Sequence, residues 1–272
     1  MSSQTTSGSS HFPSVTAVYE AIAHAGSPSR AAFSAKLTPT LDPHWFTGTP
    51  MPVLRQLARN IGAQPDLREA YQATRNHPTV ETRLVHMLLI NQASSASEAI
   101  RELRAFLPQI NCWQITDCYD PKPLLRKPDQ RPELLAEAAR LISEHAALTI
   151  RLGIICYLQD IATSDEFPAK TLHTILQLDA QDYYVAMAAG WYTATVFAKY
   201  PAATTTTLTS IIDRIVAGEH HYDAGSVQLG LRKICESRIT TDDQRQWAKS
   251  QRERLKTAGV QRLPAKPQRQ PS

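Results

Sequence analysis

Met51-Pro-Val-Leu-Arg-Gln-Leu-Ala-Arg-Asn-Ile61 sets the reading of the whole chain. Leu54, Leu57, Ala58 and Ile61 recur at the three- and four-residue spacing that lines one face of a helix, while Arg55 and Arg59 fall on another face. Pro50 and Pro52 suit a first turn, where a missing backbone N–H costs nothing. The stretch is an amphipathic helix that must bury one side against a neighbour.

The same pattern runs in both directions. Val15 to Ala25 has helical periodicity and stops at Gly26, which the sequence predicts as a left-handed cap. Ser27-Pro28-Ser29 opens a short helix carrying Phe33, Lys36 and Leu37, ended by Pro39 and the Leu41-Asp42-Pro43 turn. Downstream, helices are expected near 66–75, 80–92, 96–109, 112–119, 132–144, 146–162, 168–178, 181–199, 205–217, 225–237 and 241–257, the ninth starting at Thr204–Thr207, where a threonine can cap. No alternating strand pattern interrupts them. Paired antiparallel helices recurring every 35–45 residues predict an all-α, HEAT-like superhelix. The expected organisation is a disordered segment 1–12, one repeat domain over 13–258 and a basic disordered tail, 259–272, with Arg262, Lys266 and Arg269.

Composition narrows the function. A hydrophobic fraction of 42% and only 10 Gly fit a globular helical protein. No apolar run reaches the ~20 residues of a membrane span, and the Ser/Thr-rich start lacks a secretory layout, so a cytoplasmic protein without membrane contact is expected. Cys112, Cys118, Cys156 and Cys235 lie in apolar helical stretches without CxxC spacing and are expected to be reduced core thiols. A net charge of +4 permits a nucleic-acid partner without requiring one.

Ile110-Asn-Cys-Trp113-Gln-Ile-Thr-Asp117 stands out within this series, because an indole and a carboxylate four residues apart share one helical face. With it go Gly48-Thr-Pro-Met-Pro-Val-Leu-Arg-Gln-Leu-Ala-Arg59, Ile150-Arg151-Leu-Gly-Ile-Ile155, Tyr183-Tyr-Val-Ala-Met-Ala-Ala-Gly-Trp191 and Arg232-Lys-Ile-Cys-Glu-Ser-Arg238. In order and spacing these stretches resemble the bacterial DNA alkylation repair family, the AlkD-like alkylpurine DNA glycosylases built from HEAT-like repeats. The resemblance spans roughly Phe33 to Leu255.

That resemblance implies a C-shaped superhelix with a basic concave face on duplex DNA carrying alkylated purines. It also implies a cleft formed by Trp113, Asp117 and Trp191, with Arg151 on a backbone phosphate. Arg55, Arg59 and Lys199 are expected as further DNA contacts. The implied reaction hydrolyses the N-glycosidic bond of N3- and N7-alkylpurines such as 3-methyladenine and 7-methylguanine, by a monomer needing no metal or organic cofactor. The residue types suit it: Asp117 can stabilise positive charge growing on the deoxyribose or orient a water. Indole faces favour a cationic ring by about 0.5–2 kcal/mol per contact.

Where catalytic relatives carry Gln and Lys ahead of the second Trp, this chain has Ala186 and Met187, and its Tyr-Tyr-Val form resembles a sister branch. That branch often has Asn at the position of Cys112. A non-catalytic DNA-binding paralogue and a protein-interaction scaffold therefore stand as alternatives. Each site residue also has a plainer reading: Trp113 as a core aromatic, Asp117 as a helix-end carboxylate, Gly190-Trp191 as close helix packing, Arg151 as the ion-pair partner of Glu144 or Asp160. His220-His221 with Asp223 reads as a solvated turn rather than a metal site, and Glu81 and Arg83 as a contact between repeats.

Overall fold

A computed structural model describes residues 11–260 and 265–268. Among them there are fifteen α-helices, two 3-10 turns and no strand, so the all-α, helical-repeat expectation is met. Arg262 and Arg269 of the basic tail, and residues 1–10 of the N-terminal segment, lie outside the described residues. No helix of the described residues is long and apolar enough to cross a membrane. The described residues divide into two compact units, one up to Tyr119 and the other from Asp120 on.

The first unit contains α1 (Val15–His24), α2 (Pro28–Leu37), α3 (Met51–Gly62), α4 (Pro65–Ala73), α5 (Val80–Ile90), α6 (Ala96–Phe106) and α7 (Trp113–Asp117). The deciding stretch forms α3, with Leu54, Leu57, Ala58 and Ile61 all buried as its spacing requires. Helix α5 is the unit's axis. Every residue from Val80 to Met87 is buried, and α3, α4, α6 and α7 pack around it. Its start is fixed by Thr79 and Thr82, which satisfy each other's backbone N–H groups in a capping box.

Burying an axis that carries Glu81, Arg83 and His86 demands a partner for each. Glu81 accepts the N–H of Thr47 at 3.0 Å and of Gly48 at 2.7 Å. Arg83 donates to the carbonyls of His77 (3.1 Å) and Gln109 (2.8 Å) and lies over the Trp45 ring at 4.4 Å. His86 Nδ1 meets His77 Nε2 at 2.8 Å, and His77 Nδ1 meets the Tyr19 hydroxyl at 2.7 Å. Burial holds both rings neutral, lowering His77 to about 4 and His86 to about 3. The Glu81 and Arg83 pair is thus a packing device inside one unit.

Two glycines here act differently from a simple cap. Gly48 has φ +74°, and a Cβ on it would run into the Ser27 carbonyl and the Ala31 amide, so only glycine fits. Gly26 is not left-handed, contrary to expectation: α1 ends on Ala25, and Gly26 is small because the Thr47 carbonyl passes against it.

The second unit contains α8 (Lys122–Leu125), α9 (Arg131–Ile142), α10 (Ala147–Ile161), α11 (Ala169–Leu176), α12 (Tyr183–Lys199), α13 (Pro201–Val216), α14 (Ala224–Glu236) and α15 (Asp242–Thr257). Helix α12 is apolar nearly all round, as a helix enclosed by others must be. It buries Val185, Ala186, Ala189, Tyr192, Val196 and Phe197 against α10, α13 and α14. Full burial of each large side chain stabilises by about 1.5–3 kcal/mol. Gly190 and Gly230 permit the close α12–α14 crossing: a Cβ on Gly190 would stand 2.9 Å from Leu229 Cβ, and one on Gly230 2.8 Å from Thr193 Cγ2. Phe197 and Trp247 stack in parallel at 5.7 Å, fastening α15 to the same core.

Two local expectations change. Thr204–Thr207 lie inside α13, which starts at Pro201; Thr204 donates back to the Tyr200 carbonyl at 2.7 Å. The proline-bearing break after Pro121 holds the single turn α8. All four cysteines are unpaired thiols, with Cys112 and Cys156 buried.

Candidate functional site

In the first unit the tryptophan and carboxylate of the 110–117 stretch fall on α7, as their spacing predicts, but the helix is only five residues long. Pro121 shuts off continuation, because the residue before a proline avoids the α region. Packing of α7 on α5 is carried by Ile115 and Thr116, both fully buried. Trp113 and Asp117 are half-buried and lie on the side away from that contact. A core role for Trp113 would have placed it where Ile115 is.

The indole is oriented by its own N–H, which points at the Leu37 carbonyl of α2 at 3.4 Å. The Thr116 hydroxyl donates to the Trp113 carbonyl at 2.8 Å and stands 3.2 Å from Asp117 Oδ1. A carboxylate at the C-terminal end of a helix has no hydrogen to offer the unpaired carbonyls there, so capping does not explain Asp117. Arg55, exposed on α3, belongs to the same neighbourhood. Burial pushes the Cys118 thiol up to about 12; the Asp117 carboxylate adds to the rise and the Arg55 cation opposes it. Burial likewise raises Cys112 to about 11, so neither thiol beside α7 is a nucleophile at neutral pH. Arg59 is also exposed, one turn further along α3, with its guanidinium 2.6 Å from Gln56 Oε1.

The remaining predicted residues belong to the second unit. Trp191 is 38% exposed although its neighbours on α12, Gly190 and Tyr192, are buried. Close packing explains Gly190 and leaves the indole outside it. Arg151 is only 5% exposed and donates to the Tyr184 carbonyl at 2.8 Å, tying α10 to the first turn of α12. Asp160, one of its expected ion-pair partners, is held instead by Arg131 through two bonds of 2.7 and 2.9 Å. Lys199 donates to the carbonyls of Ile161 (3.0 Å) and Ser164 and to Asp165 (3.2 Å), closing the end of α10. Ala186 lies in the core, whereas Met187, one turn before Trp191, is half-buried.

Among the described residues no group of three His, Cys, Asp or Glu side chains is placed to hold a metal ion. His220 and His221 line a groove of about 600 Å³ with Asp179 and Asp223 after the left-handed Gly218.

The Leu37 carbonyl and the Glu81 clamp were not foreseen as parts of the site. A backbone acceptor far from Trp113 in sequence leaves no trace in residue spacing. In sequence Glu81 reads as a contact between repeats, without the clamp it forms on the Thr47 and Gly48 amides.

These features define a helical-repeat protein that leaves indoles and a carboxylate accessible on otherwise packed helices. The profile of the family described as DNA alkylation repair enzyme matches residues 18–212, most of the chain, and the chain belongs to that family. No curated protein and no solved structure matches it. Family membership gives the protein a role in DNA repair.

Proposed function

We propose that the protein is a DNA glycosylase that removes cationic N3- and N7-alkylpurines from duplex DNA. The observation that carries the proposal is the placement of Trp113 and Asp117 together on α7, both accessible, on a helix anchored by its other face. The family match, residues 18–212, includes residues of both units, which supports one repeat domain; we extend that domain over 13–258.

The chemistry assigned to these groups is hydrolysis. The C1′–N bond breaks with its electron pair passing into the purine, which leaves as a neutral base because its ring carried a positive charge. A water oxygen bonds to C1′, giving an abasic site and releasing one proton. Asp117 holds the water or faces the cationic sugar, where a fixed negative charge stabilises the growing positive one. Trp113 and Trp191 supply the electron-rich faces that prefer a charged ring to a neutral one. Phosphate contacts are assigned first to Arg55 and Arg59, which are exposed; Arg151 and Lys199, each bonded inside the second unit, come after them. The protein is proposed to act as a cytoplasmic monomer without a metal or organic cofactor.

Met187, apolar at the turn before Trp191, favours a second reading: a paralogue that binds damaged or branched DNA without excising a base. The two part on one assay, release of 7-methylguanine and 3-methyladenine from alkylated duplex DNA. Release above the spontaneous rate supports the glycosylase. Release at the spontaneous rate, with salt-sensitive duplex binding, supports the paralogue. No binding at low salt rejects both and leaves a protein-interaction scaffold.

A further inference from the structure

Beyond the span matched to the family, α14 and α15 border a groove of about 300 Å³ lined by Gln228, Lys249, Arg252, Glu253 and Lys256. Lys249, Arg252 and Lys256 follow the three- and four-residue spacing that aligns side chains along one face of α15. Gln228, 6% exposed, is held at the groove by its bond to the Val260 carbonyl at 2.6 Å.

The ion pairs of α15 separate these cations from the rest. Arg245 pairs with Asp242 at 2.7 Å and Arg254 with Asp213 at 2.6 Å, while Lys256 keeps a loose, exposed contact to Glu253 at 3.6 Å. Lys249 and Arg252 form no ion pair among the described residues, and both are exposed. The helix dipole accounts for cations in the last turn, where Arg254 and Lys256 lie. It does not account for Lys249, two turns earlier, because the effect fades beyond the final turn. Unpaired like charges beside a groove repel one another and gain most from a polyanion.

The dimensions fit a nucleic-acid strand. Seven residues of helix separate Lys249 from Lys256, about 10 Å at 1.5 Å per residue. Successive phosphates wind around the duplex and so lie farther apart than the strand's axial advance of about 3.4 Å, and a row of this length meets about two neighbouring phosphates. From the groove, the pairing pattern and this length we infer that the α14–α15 groove is a second DNA-backbone site, with Lys249 and Arg252 as its principal phosphate contacts. The inference rests on the DNA reading above but not on catalysis, since the groove contains no residue assigned to bond cleavage. It would hold duplex flanking the lesion and add affinity independent of damage.

The test compares the full-length protein with Lys249→Gln/Arg252→Gln and with the charge-keeping exchange Lys249→Arg/Arg252→Lys. Binding of an undamaged, fluorescein-labelled duplex is followed by anisotropy over a salt series, with melting temperature as a fold control. The slope of log affinity against log salt is expected to fall by ~1.8 in the neutralised variant, ~0.9 per lost contact, and to be retained in the exchange variant. An unchanged slope in the neutralised variant overturns the inference, and so does an equal loss in both variants. Release of 7-methylguanine by the wild type is measured alongside. Failure there removes the glycosylase reading while leaving the slopes interpretable.

Discussion

Acid should unfold this protein through two histidines before its carboxylates protonate. His77 and His86 are 0% and 2% exposed and joined to each other at 2.8 Å, and His77 is also bonded to the Tyr19 hydroxyl at 2.7 Å. Each contact in this chain has room for one hydrogen. Protonating both rings would set two N–H groups against each other across the 2.8 Å contact. Both rings therefore bind protons less readily folded than unfolded, His77 at about 4 and His86 at about 3 against a usual value of 6.5. As pH falls below 6.5 the unfolded chain takes up protons that the folded chain refuses. Stability present above that value is then lost progressively toward about 4 and about 3. Each ring contributes a slope of about 1.4 kcal/mol per pH unit, so the pair removes on the order of 3–5 kcal/mol by about pH 4.5. That is a large part of the about 5–15 kcal/mol of a typical domain. Urea unfolding at a series of pH values from neutral to about 4.5 measures it. The variant His77→Asn/His86→Leu should be less stable at neutral pH and show a clearly flatter profile. A wild-type profile flat above about pH 5, or one as steep in the variant, would refute the reasoning.

Three further outcomes follow from the geometry. Gly48→Ala should cost about 2–4 kcal/mol in urea unfolding, since it forces a left-handed φ of +74° and a clash with Ser27 and Ala31; a loss under about 0.5 kcal/mol would contradict the clamp. Gly190→Ala should lower stability by about 1–3 kcal/mol by pressing a methyl against Leu229 and should quench or shift Trp191 fluorescence; an unaltered protein would show that the α12–α14 crossing is looser than described. Trp191→Ala should lower the melting temperature only modestly, because the ring is 38% exposed, yet weaken the preference for 7-methylguanine duplex over undamaged duplex about 2- to 30-fold. An equal affinity loss on both duplexes would assign Trp191 to general binding.

The helices were legible because the apolar side chains repeat at helical spacing; α3 and α5 emerge where that repeat places them. The joint placement of Trp113 and Asp117 was legible for the same reason. Chain ends of elements were not. Pro201 marks the true start of α13, but four threonines in a row suggested a cap, and only the back-bond from Thr204 to Tyr200 shows how they sit inside a helix. The burial of Arg151 was not legible in sequence beyond its apolar surroundings, Ile150 and Leu152 to Ile155; a carbonyl of α12 receives the side chain. Met187 and Ala186 look alike as departures from the family pattern, yet Ala186 is fully buried in the core while Met187 is only half-buried against it. Such distinctions depend on which neighbour covers each face.

The central claim is that Asp117 drives removal of a cationic purine. Its most direct test is single-turnover release of 7-methylguanine from a site-specifically alkylated duplex by wild type and by Asp117→Asn. The exchange keeps the size of the side chain and, with the residue half-exposed, should leave folding intact. The account predicts release by wild type above the spontaneous rate and a fall of about 10²–10³-fold in the enzyme-dependent rate for the variant, at nearly unchanged duplex affinity. Equal rates in the two proteins would contradict it.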